Sequence, residues 1–396
     1  MKTGAPSRAS VLFYILQQSM DKGRKHTHSF STMPARLLTV CVFSVVFFNL
    51  AGCHFDSSSE SNSEITDSSS SSRRGSSSSF YASKDNIYLL VDSSFFIDRF
   101  QTSSIKIVFK DDDTNELNYI EINGNKLQHE IIPTSQTPNH PQFSPDGSKL
   151  VFSTGEEAIP EESDLYVMDL SSTKRDIYKL DVENAGIPRW RMLENGDTAI
   201  LYNDFTGTNQ QAPWVTSGTF VVTYSNNKFG EPQKIFNRSY NGGVSTDNAL
   251  AVTGSSRLLY HYATDDDSVN IDMYNSEQAC NVSISQDSRK IVSFLETHGS
   301  LGIQFTQDPY YNWHQYIFYM DSTGNFIKAI KAEDGSIFNG TEWLYTPNYQ
   351  VGVTTSMDNE SEYIVLIDYE MGTYYNIIYA PGKQITFPDL WVNTNK

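Results

Sequence analysis

Residues 139–170 read NHPQFSPDGSKLVFSTGEEAIPEESDLYVMDL, and this stretch decides the fold. Ser144-Pro145-Asp146-Gly147 suits a type I turn, because Pro fixes φ at the second position and Gly is favoured at the fourth. A short extended run ends at Phe143, before the turn. After it, Leu150-Val151-Phe152 predicts a buried strand, and the alternating residues 164–169 predict a half-exposed one. Strand, tight turn, strand, loop and strand make up most of one β-propeller blade.

Weaker copies of this pattern recur along the chain. If Phe143 marks the inner strand of a blade, the equivalent positions are Trp190, Val244, Ile284, Tyr345 and Leu390. Turn residues follow four of them, at 195–197, 246–248, 286–288 and 347–348. Second strands are predicted at 199–202, 249–252, 290–294 and 351–353, and third strands at 218–224, 258–262, 316–320 and 363–368. The spacing between copies is that of propeller blades with loops of varied length.

The two ends of the chain complete each other. Residues 104–110, 117–122 and 127–132 predict the second, third and fourth strands of a blade that lacks its first strand. Residues 385–392 predict a first strand with nothing after it. Pairing the two ends makes a sixth blade and leaves no long exposed edge strand. We therefore predict an all-β fold, a single six-bladed β-propeller over residues 101–396.

The repeat resembles that of a known family. The pattern Pro-x-aromatic-Ser-Pro-Asp-Gly, an apolar strand and then Asp-Leu-Tyr-x-Met-Asp is similar to the repeat of TolB-type six-bladed propellers, and residues 139–170 match it best. The resemblance implies a propeller with a central tunnel, exported to the periplasm and working mainly through protein contacts. The chain has no room for the N-terminal α/β domain of TolB itself, so the specific partners of TolB are not implied.

An export signal precedes the repeats. Residues 37–50, LLTVCVFSVVFFNL, form an apolar run behind Arg36, which is the layout of a secretory signal peptide and is short for a membrane-spanning helix. The run ends in Leu50-Ala51-Gly52-Cys53, which resembles the lipobox of bacterial lipoproteins. The resemblance implies cleavage between Gly52 and Cys53 and attachment of lipid to the Cys53 sulfur.

We expect residues 1–52 to be removed, and the true start of the signal to be Met20 or Met33. The alternative interpretation is a plain anchor helix that extends to about Phe55. His54 follows the modified cysteine, and the absence of Asp there favours the outer membrane by the rule known for enteric bacteria. We therefore expect an outer-membrane lipoprotein that is periplasmic or surface-exposed.

A polar segment separates the lipobox from the propeller. Between Ser57 and Ser79, 14 of 23 residues are Ser. Such a segment cannot bury enough apolar surface to offset the entropy of ordering, so residues 53–80 are expected to be a disordered tether. Residues 81–100 are predicted to form an extra strand or a plug across the ring.

Charge and cysteine content exclude some classes of partner and bond. The chain has a formal net charge of −18, and residues 53–396 keep 23 basic and 46 acidic residues, a charge of −23. This argues against nucleic acid as a partner.

Cys280 is the one cysteine outside the lipobox and the signal, so no internal disulfide is expected. We interpret Cys280 as a small buried residue rather than a reactive thiol.

One loop is rich in aromatic and amide side chains. Residues 308–316 read DPYYNWHQY, and we name Tyr310, Tyr311, Trp313 and His314 as a possible binding loop. Such side chains stack on sugar rings or anchor a protein partner. The alternative is that these rings pack between neighbouring blades, where propellers need large side chains.

Candidate metal ligands are weak. Asp111-Asp112-Asp113, with Asn115 and Glu116, and the cluster 265–267 could hold Ca²⁺, but neither has the ligand spacing of a dedicated loop, so both are interpreted as solvated turns. His261, His298 and His314 could form a cluster, but their spacing has no ligand signature, and loop positions are favoured. We predict no metal and no cofactor.

No nucleophile elbow, phosphate-binding loop or Cys-x-x-Cys pair occurs in the sequence. The sequence therefore predicts a monomeric, membrane-anchored propeller that binds a protein partner, or a glycan, and is not an enzyme. The alternative is a carbohydrate-active lyase or hydrolase with a His and carboxylate site at the tunnel mouth, which rests on analogy of fold.

Lipidation can be tested at Cys53. Cys53→Ser should release the protein from the membrane, because stable anchoring needs two or more acyl chains and the variant carries none. Detergent-phase partitioning and labelling with a palmitate analogue measure this, with Cys280→Ser as the control that keeps its label. Unchanged partitioning and labelling of Cys53→Ser would reject the lipoprotein interpretation.

Overall fold

The computed structural model describes residues 81–82, 86–193, 195–263, 269–344, 351–357 and 362–393. The predicted signal, lipobox and tether in residues 1–80 lie outside this part of the chain, as do Tyr345, the turn at 347–348 and the acidic cluster 265–267. Among the helices that are described, none is long and apolar enough to cross a membrane.

The described strands form six antiparallel sheets, which are the six blades of a β-propeller, so the predicted fold class is confirmed. The chain begins with β1 (Tyr81–Ala82), β2 (Tyr88–Leu89) and helix α1 (Ser93–Phe100). Blade 1 holds β3 (Ser104–Asp111), β4 (Glu116–Asn123), β5 (Lys126–Ile132) and, as its inner strand, β27 (Ile385–Val392). Blade 2 holds β6 (Asn139–Phe143), β7 (Lys149–Ser153), β8 (Leu165–Asp169) and β9 (Ile177–Lys179). Blade 3 holds β10 (Gly186–Met192), β11 (Thr198–Asn203), a 3₁₀ helix (Ala212–Val215), β12 (Gly218–Ser225), β13 (Lys228–Phe229) and β14 (Gln233–Asn237).

The second half of the ring follows the same plan. Blade 4 holds β15 (Gly243–Val244), β16 (Leu250–Thr253), β17 (Leu259–Tyr262) and β18 (Ile271–Asp272). Blade 5 holds β19 (Ala279–Ile284), β20 (Val292–Glu296), helix α2 (Ser300–Thr306), β21 (Tyr316–Met320) and β22 (Phe326–Lys331). Blade 6 holds β23 (Ile337–Trp343), β24 (Val351–Met357), β25 (Glu362–Asp368) and β26 (Thr373–Tyr379).

The ring is closed by pairing the two ends of the chain, as predicted. β27 runs antiparallel to β3, with Ile385 opposite Asp111 and Leu390 opposite Ile107. The predicted inner-strand positions Trp190, Val244 and Ile284 lie in β10, β15 and β19. In blade 6 the inner strand ends at Trp343, two residues before the predicted Tyr345.

The tight turn after the inner strand has the same hydroxyl–carboxylate hydrogen bond in three blades. In blade 2 the Gly147 N–H donates to the Ser144 carbonyl at 2.8 Å, and the Ser144 hydroxyl donates to Asp146 at 2.6 Å. The pairs Ser245–Asp247 and Ser285–Asp287 repeat the hydroxyl–carboxylate bond at 2.7 and 3.0 Å. Gly147 has a φ of +66°, and a Cβ there would lie 2.4 Å from Trp391. The sequence repeat is therefore a repeat of turn chemistry.

The core consists of six hydrophobic clusters in the described chain, one between each pair of neighbouring blades. Side chains alternate along a strand, so adjacent residues enter opposite clusters. Ile107 packs toward blade 6, and Val108 packs toward blade 2. Leu150 packs toward blade 1, and Val151 packs toward blade 3. Both faces of these strands are buried, which explains their continuous apolar runs.

Residues 88–100 join blade 6 to blade 1, and we call them the N-terminal clasp. β2 pairs with β26, the fourth strand of blade 6. In α1 the Asp92 side chain caps the helix by accepting from the N–H groups of Ser94 and Phe95. Phe96 and Phe100 are buried in the cluster shared by blades 6 and 1. The clasp therefore adds a second connection across the interface at which the ring closes.

Ring closure can be tested by truncation after Ile385. The shortened chain loses most of β27, so β3 is left with an unpaired edge, and we expect a sharp loss of solubility and of cooperative unfolding. Soluble yield and urea denaturation measure this, with a chain that lacks only residues 394–396 as control. A soluble, cooperatively unfolding chain that ends at Ile385 would show that β27 is dispensable.

Candidate functional site

Five of the six inner strands carry a bulge at the same place, three residues before the position equivalent to Phe143. The pairing register shifts there in blades 1, 2, 3, 5 and 6. The residue at the bulge has a left-handed φ of 48° to 81°. These residues are His140, Ile187, Asn281, Gly340 and Phe387. A positive φ is costly for a β-branched residue such as Ile187, so the surrounding ring must stabilise this conformation.

The bulges line one cavity at the centre of the ring, which we call the channel. It contains about 520 Å³ of space between its lining atoms, part of it open to solvent. Its polar lining is His140, Gln142, Glu157, Arg189, Asn281, Thr341, Glu342 and Asp389. All of these lie on inner strands except Glu157, which comes from the loop between β7 and β8. A bulge re-aims side chains, and here it places polar groups in a space between apolar blades.

An ion pair spans the channel from blade 3 to blade 6, which lie opposite each other. Arg189 donates from Nε and Nη2 to the two oxygens of Glu342, each at 2.9 Å. Its Nη1 donates to the Asn241 carbonyl at 2.6 Å. The Ser283 hydroxyl donates to Glu342 at 2.8 Å. This pair therefore connects groups from four blades.

Two further carboxyl groups in the channel have no cation of their own. Burial raises the pKa of Glu157 to about 7, with Arg189 opposing the rise and Glu342 adding to it. Burial raises the pKa of Asp389 to about 8, and Glu342 adds to this rise too. In the unfolded chain these groups lose their protons near 4.5 and 3.8. Both therefore lower the free energy of unfolding as the pH rises from those values to about 7 and 8.

His140 is neutral in the channel. Burial lowers its pKa to about 3, and the positive charges of Arg189 and Lys110 lower it further. The Gly155 backbone beside the ring opposes this lowering. The ring lies 4.0 Å from that of Phe387, centroid to centroid.

Backbone N–H groups on the inner strands are satisfied by the preceding blade. These groups face away from the second strand of their own blade and need another acceptor. Five such bonds occur in the described chain: Phe143 to Asp389 at 2.7 Å, Ile187 to the Ser153 hydroxyl at 3.3 Å, Trp190 to Gln142 at 2.6 Å, Ile284 to the Gly242 carbonyl at 3.1 Å and Trp343 to Ser283 at 3.2 Å. In each case the acceptor belongs to the preceding blade. The polar residues of the channel thus also connect neighbouring blades.

The predicted binding loop at 308–315 divides into two buried and two exposed residues. Tyr311 is 4% exposed and His314 is 8% exposed, as the packing alternative required. Tyr310 is 90% exposed and Trp313 is 53% exposed, as binding would require. The His314 N–H donates to the Glu296 carbonyl at 2.9 Å, and the His314 carbonyl accepts from the Phe338 N–H at 2.8 Å. The loop therefore holds two aromatic rings in solvent on a backbone fixed to blades 5 and 6.

The three histidines considered for a metal are not brought together. His261 lies in strand β17 rather than in a loop, is buried, and bonds the Val269 carbonyl through Nδ1 at 2.8 Å. His298 is exposed and lies 4.5 Å from the ring of Tyr311. Burial lowers the pKa of His314 to about 4. Within the described ranges no three His, Cys, Asp or Glu side chains converge to hold a metal.

The acidic cluster at 111–113 is not a solvated turn throughout. Asp111 is buried and accepts from Lys383 Nζ and from the Gln384 N–H, each at 3.2 Å. Asp112 pairs with the buried Lys110 at 2.9 Å. The bonds of Asp111 connect the β3–β4 turn to Lys383 and Gln384, which lie just before β27. The pairing of β27 with β3 places Lys383 beside Asp111. Asp113 is exposed.

Cys280 lies next to the channel-lining Asn281 and is half-buried. Burial raises the pKa of its thiol to about 12, and the nearby carboxylate Glu157 adds to the rise. The thiol is therefore protonated at neutral pH, which disfavours nucleophilic chemistry.

The resemblance implied a central tunnel, but none of the residues that line the channel was predicted as a site residue, although the sequence carries a signal for them. Pro141, Pro188 and Pro388 occupy the same place in three inner strands, and the residues on either side of each proline line the channel. A proline has no N–H to leave unpaired at a bulge, which suits it to this position.

Comparisons with known proteins concern the fold. No model of a known protein family matches the sequence, and no curated protein sequence matches it. Hydrazine synthase of Kuenenia stuttgartiensis is similar in structure, with a TM-score of 0.47 and 11% identity over 76% of this chain and 50% of that one. This chain thus spans half the length of that relative.

Two further solved structures resemble this chain to a similar extent. The β-propeller domain of the Trilobed protease from Pyrococcus furiosus has a TM-score of 0.38 and 14% identity over 69% of this chain and 79% of that one. Oligogalacturonate lyase from Vibrio parahaemolyticus has a TM-score of 0.37 and 11% identity over 69% and 73%. At this level of likeness the comparisons carry no information about substrate or partner.

The ion pair across the channel can be tested by a double-mutant cycle. Arg189→Met leaves Glu342 without its cation in a confined space, and we expect the free energy of unfolding to fall by about 3 kcal/mol. Glu342→Gln should cost a similar amount, and Arg189→Met/Glu342→Gln should cost less than the two single changes together. Urea denaturation measures all three. Additive losses would show that the pair is not coupled.

Proposed function

We propose that this chain is an exported, membrane-anchored lipoprotein whose TolB-like propeller binds a partner through the loop at 308–315. The observation that carries the binding role is the exposure of Tyr310 and Trp313 on a loop fixed by its own buried residues. The lipobox at Cys53 and the serine-rich segment that follows support the anchored location. The resemblance of residues 139–170 to the TolB-type repeat supports work through protein contacts.

The loop has the physical properties of a binding surface. Tyr and Trp dominate interface energetics, because each buries a large apolar area with few rotatable bonds and keeps a polar atom for hydrogen bonding. Binding is stronger when the surface is ordered beforehand, since less conformational entropy is lost. Here Tyr311, His314 and the backbone bonds to Glu296 and Phe338 supply that order.

A protein partner suits the loop better than a glycan. Sugar binding needs charged or amide groups beside the aromatic ring to bond the hydroxyl groups. The one carboxylate of the loop, Asp308, is already occupied by Lys331 at 3.0 Å and by the Tyr316 hydroxyl at 3.1 Å, and the Gln315 side chain accepts from the Asn312 N–H at 3.0 Å. The exposed amide of Asn312 is the one side-chain amide of the loop left for a sugar. A protein partner can instead cover the two rings with apolar and aromatic side chains.

The binding role can be tested by truncating the two exposed rings. We expect Tyr310→Ala and Trp313→Ala each to weaken capture of a membrane-extract partner about tenfold or more, because exposed aromatic anchors carry most of an interface's energy. Quantitative pull-down with the full chain measures this. Met371→Ala is the matched control, since Met371 is 73% exposed in another blade.

A polysaccharide array and a lyase and hydrolase screen run beside the pull-down. Equal capture by the double variant Tyr310→Ala/Trp313→Ala and by Met371→Ala would reject this loop as the binding surface. Retention on a glycan, lost in the double variant, would replace the protein partner by a sugar. Turnover of a polysaccharide, lost in His314→Ala, would overturn the binding role in favour of an enzyme.

A further inference from the structure

A buried lysine connects the first two blades of the ring. Lys110 lies near the end of β3 in blade 1, and Asn139 begins β6 in blade 2. The Lys110 side chain donates from Nζ to Asn139 Oδ1 at 2.8 Å, although the two residues are 29 positions apart in the chain. Each of the two residues is 1% exposed. Lysine is rarely buried to this extent in proteins. Here its amine is held against a primary amide in a place that water hardly reaches.

Two carboxylates complete the surroundings of this amine. Asp112 lies 2.9 Å from Lys110 Nζ, on the turn that follows β3, and Glu156 lies 3.3 Å from it, on the loop between β7 and β8. Their side chains are 37% and 45% exposed, so both can exchange protons with solvent. The loop of Glu156 also holds the nitrogen of the amide, because the Thr154 carbonyl accepts from Asn139 Nδ2 at 3.0 Å. The Lys110 amine therefore touches both an amide and a proton acceptor.

We propose that Lys110 and Asn139 become joined by an isopeptide bond that forms within the folded chain. The Lys110 ammonium gives one proton to Glu156, which leaves a neutral amine with a lone pair. The amine attacks Cγ of Asn139, so the Nζ–Cγ bond forms and the Cγ–Nδ2 bond breaks.

The protons of this reaction balance without a further reactant. Glu156 gives the first proton to Nδ2, which leaves as ammonia, and takes a second proton from the attacking nitrogen. The second proton passes to the departing ammonia. One ammonium group of the protein is thus replaced by one free ammonium ion, and nothing is oxidised or reduced.

The position of the two groups makes the reaction accessible. Holding reacting groups together gives effective concentrations of about 10⁵ M or more, provided that the geometry is close to that of attack. Lys110 Nζ lies within about 4 Å of Asn139 Cγ, because the carbonyl bond adds only about 1.2 Å to the contact with Oδ1. Burial of both groups limits the access of water, which would otherwise compete for the amide carbon.

The neighbouring groups identify Asn139 as the one that is attacked. The carbon of an ionised carboxylate resists a nucleophile, so Asp112 and Glu156 are suited to accept protons rather than to be attacked. Lys106 lies in the same strand and offers a comparison, because it donates to the Gly147 carbonyl at 2.6 Å. That partner is a backbone carbonyl, from which no ammonia can be lost.

Mass spectrometry of peptides from the full chain tests the proposal. We expect a trypsin digest to contain residues 107–126 and 127–149 as one branched peptide, joined through Lys110 and Asn139. Its mass should be about 17 Da below that of the two peptides together, because ammonia is lost. Lys110→Arg keeps the positive charge and should give no branched peptide. Lys106→Arg, in the same strand, should still give it.

Glu156→Gln should lower the cross-linked fraction about tenfold or more, because the proton acceptor is lost. Glu161→Gln, an exposed change in the same loop, should leave the fraction unchanged. Thermal melting checks that each variant is folded.

Three results would overturn the proposal. The first is a digest of the unaltered chain without the branched peptide. The second is an equal cross-linked fraction in Glu156→Gln and Glu161→Gln. The third is a loss of ammonia located at Asn195-Gly196, where an asparagine can cyclise onto the next backbone nitrogen, in place of Asn139. None of these outcomes depends on the loop at 308–315.

Discussion

The unpaired side of the inner strand is the constraint on which this molecule depends. Each blade ends at the ring centre in an edge strand, and its backbone N–H groups point into a narrow space with little water. A buried donor without a partner costs free energy comparable to a lost hydrogen bond. The protein meets this need with an acceptor from the preceding blade, as Asp389 does for Phe143 and Gln142 does for Trp190. Polar residues at the centre are therefore needed before any ligand is considered.

This arrangement also explains why the centre carries charge. Apolar side chains could fill the channel, but they could not accept from the inner N–H groups. The Arg189–Glu342 pair helps to supply such an acceptor indirectly. Ser283 accepts from the Trp343 N–H and donates its own hydroxyl proton to Glu342. Asp389 shows this most directly, since it is buried and accepts from the Phe143 N–H of the next blade.

The architecture was readable from sequence, whereas the channel was not. Turn chemistry at Ser144-Pro145-Asp146-Gly147 is local, so its copies mark the blades, and the unmatched strands at the two ends indicate closure. The left-handed bulges are different, because Ile187 and Phe387 have no intrinsic preference for positive φ and adopt it under tertiary constraint. The exposure of Tyr310 against the burial of Tyr311 also depends on blade packing, since two neighbouring tyrosines have the same composition and propensity.

The position of the N-terminal clasp has a mechanical consequence. A force that pulls the chain from the side of residue 81 meets β2 and α1 before it reaches β3. β2 is held to β26 at two residue pairs, whereas β27 is held to β3 at six. The short pairing at the perimeter and the buried rings of Phe96 and Phe100 therefore take the load first. We therefore expect the clasp to detach from blade 6 under load before the pairing of β27 with β3 is disturbed.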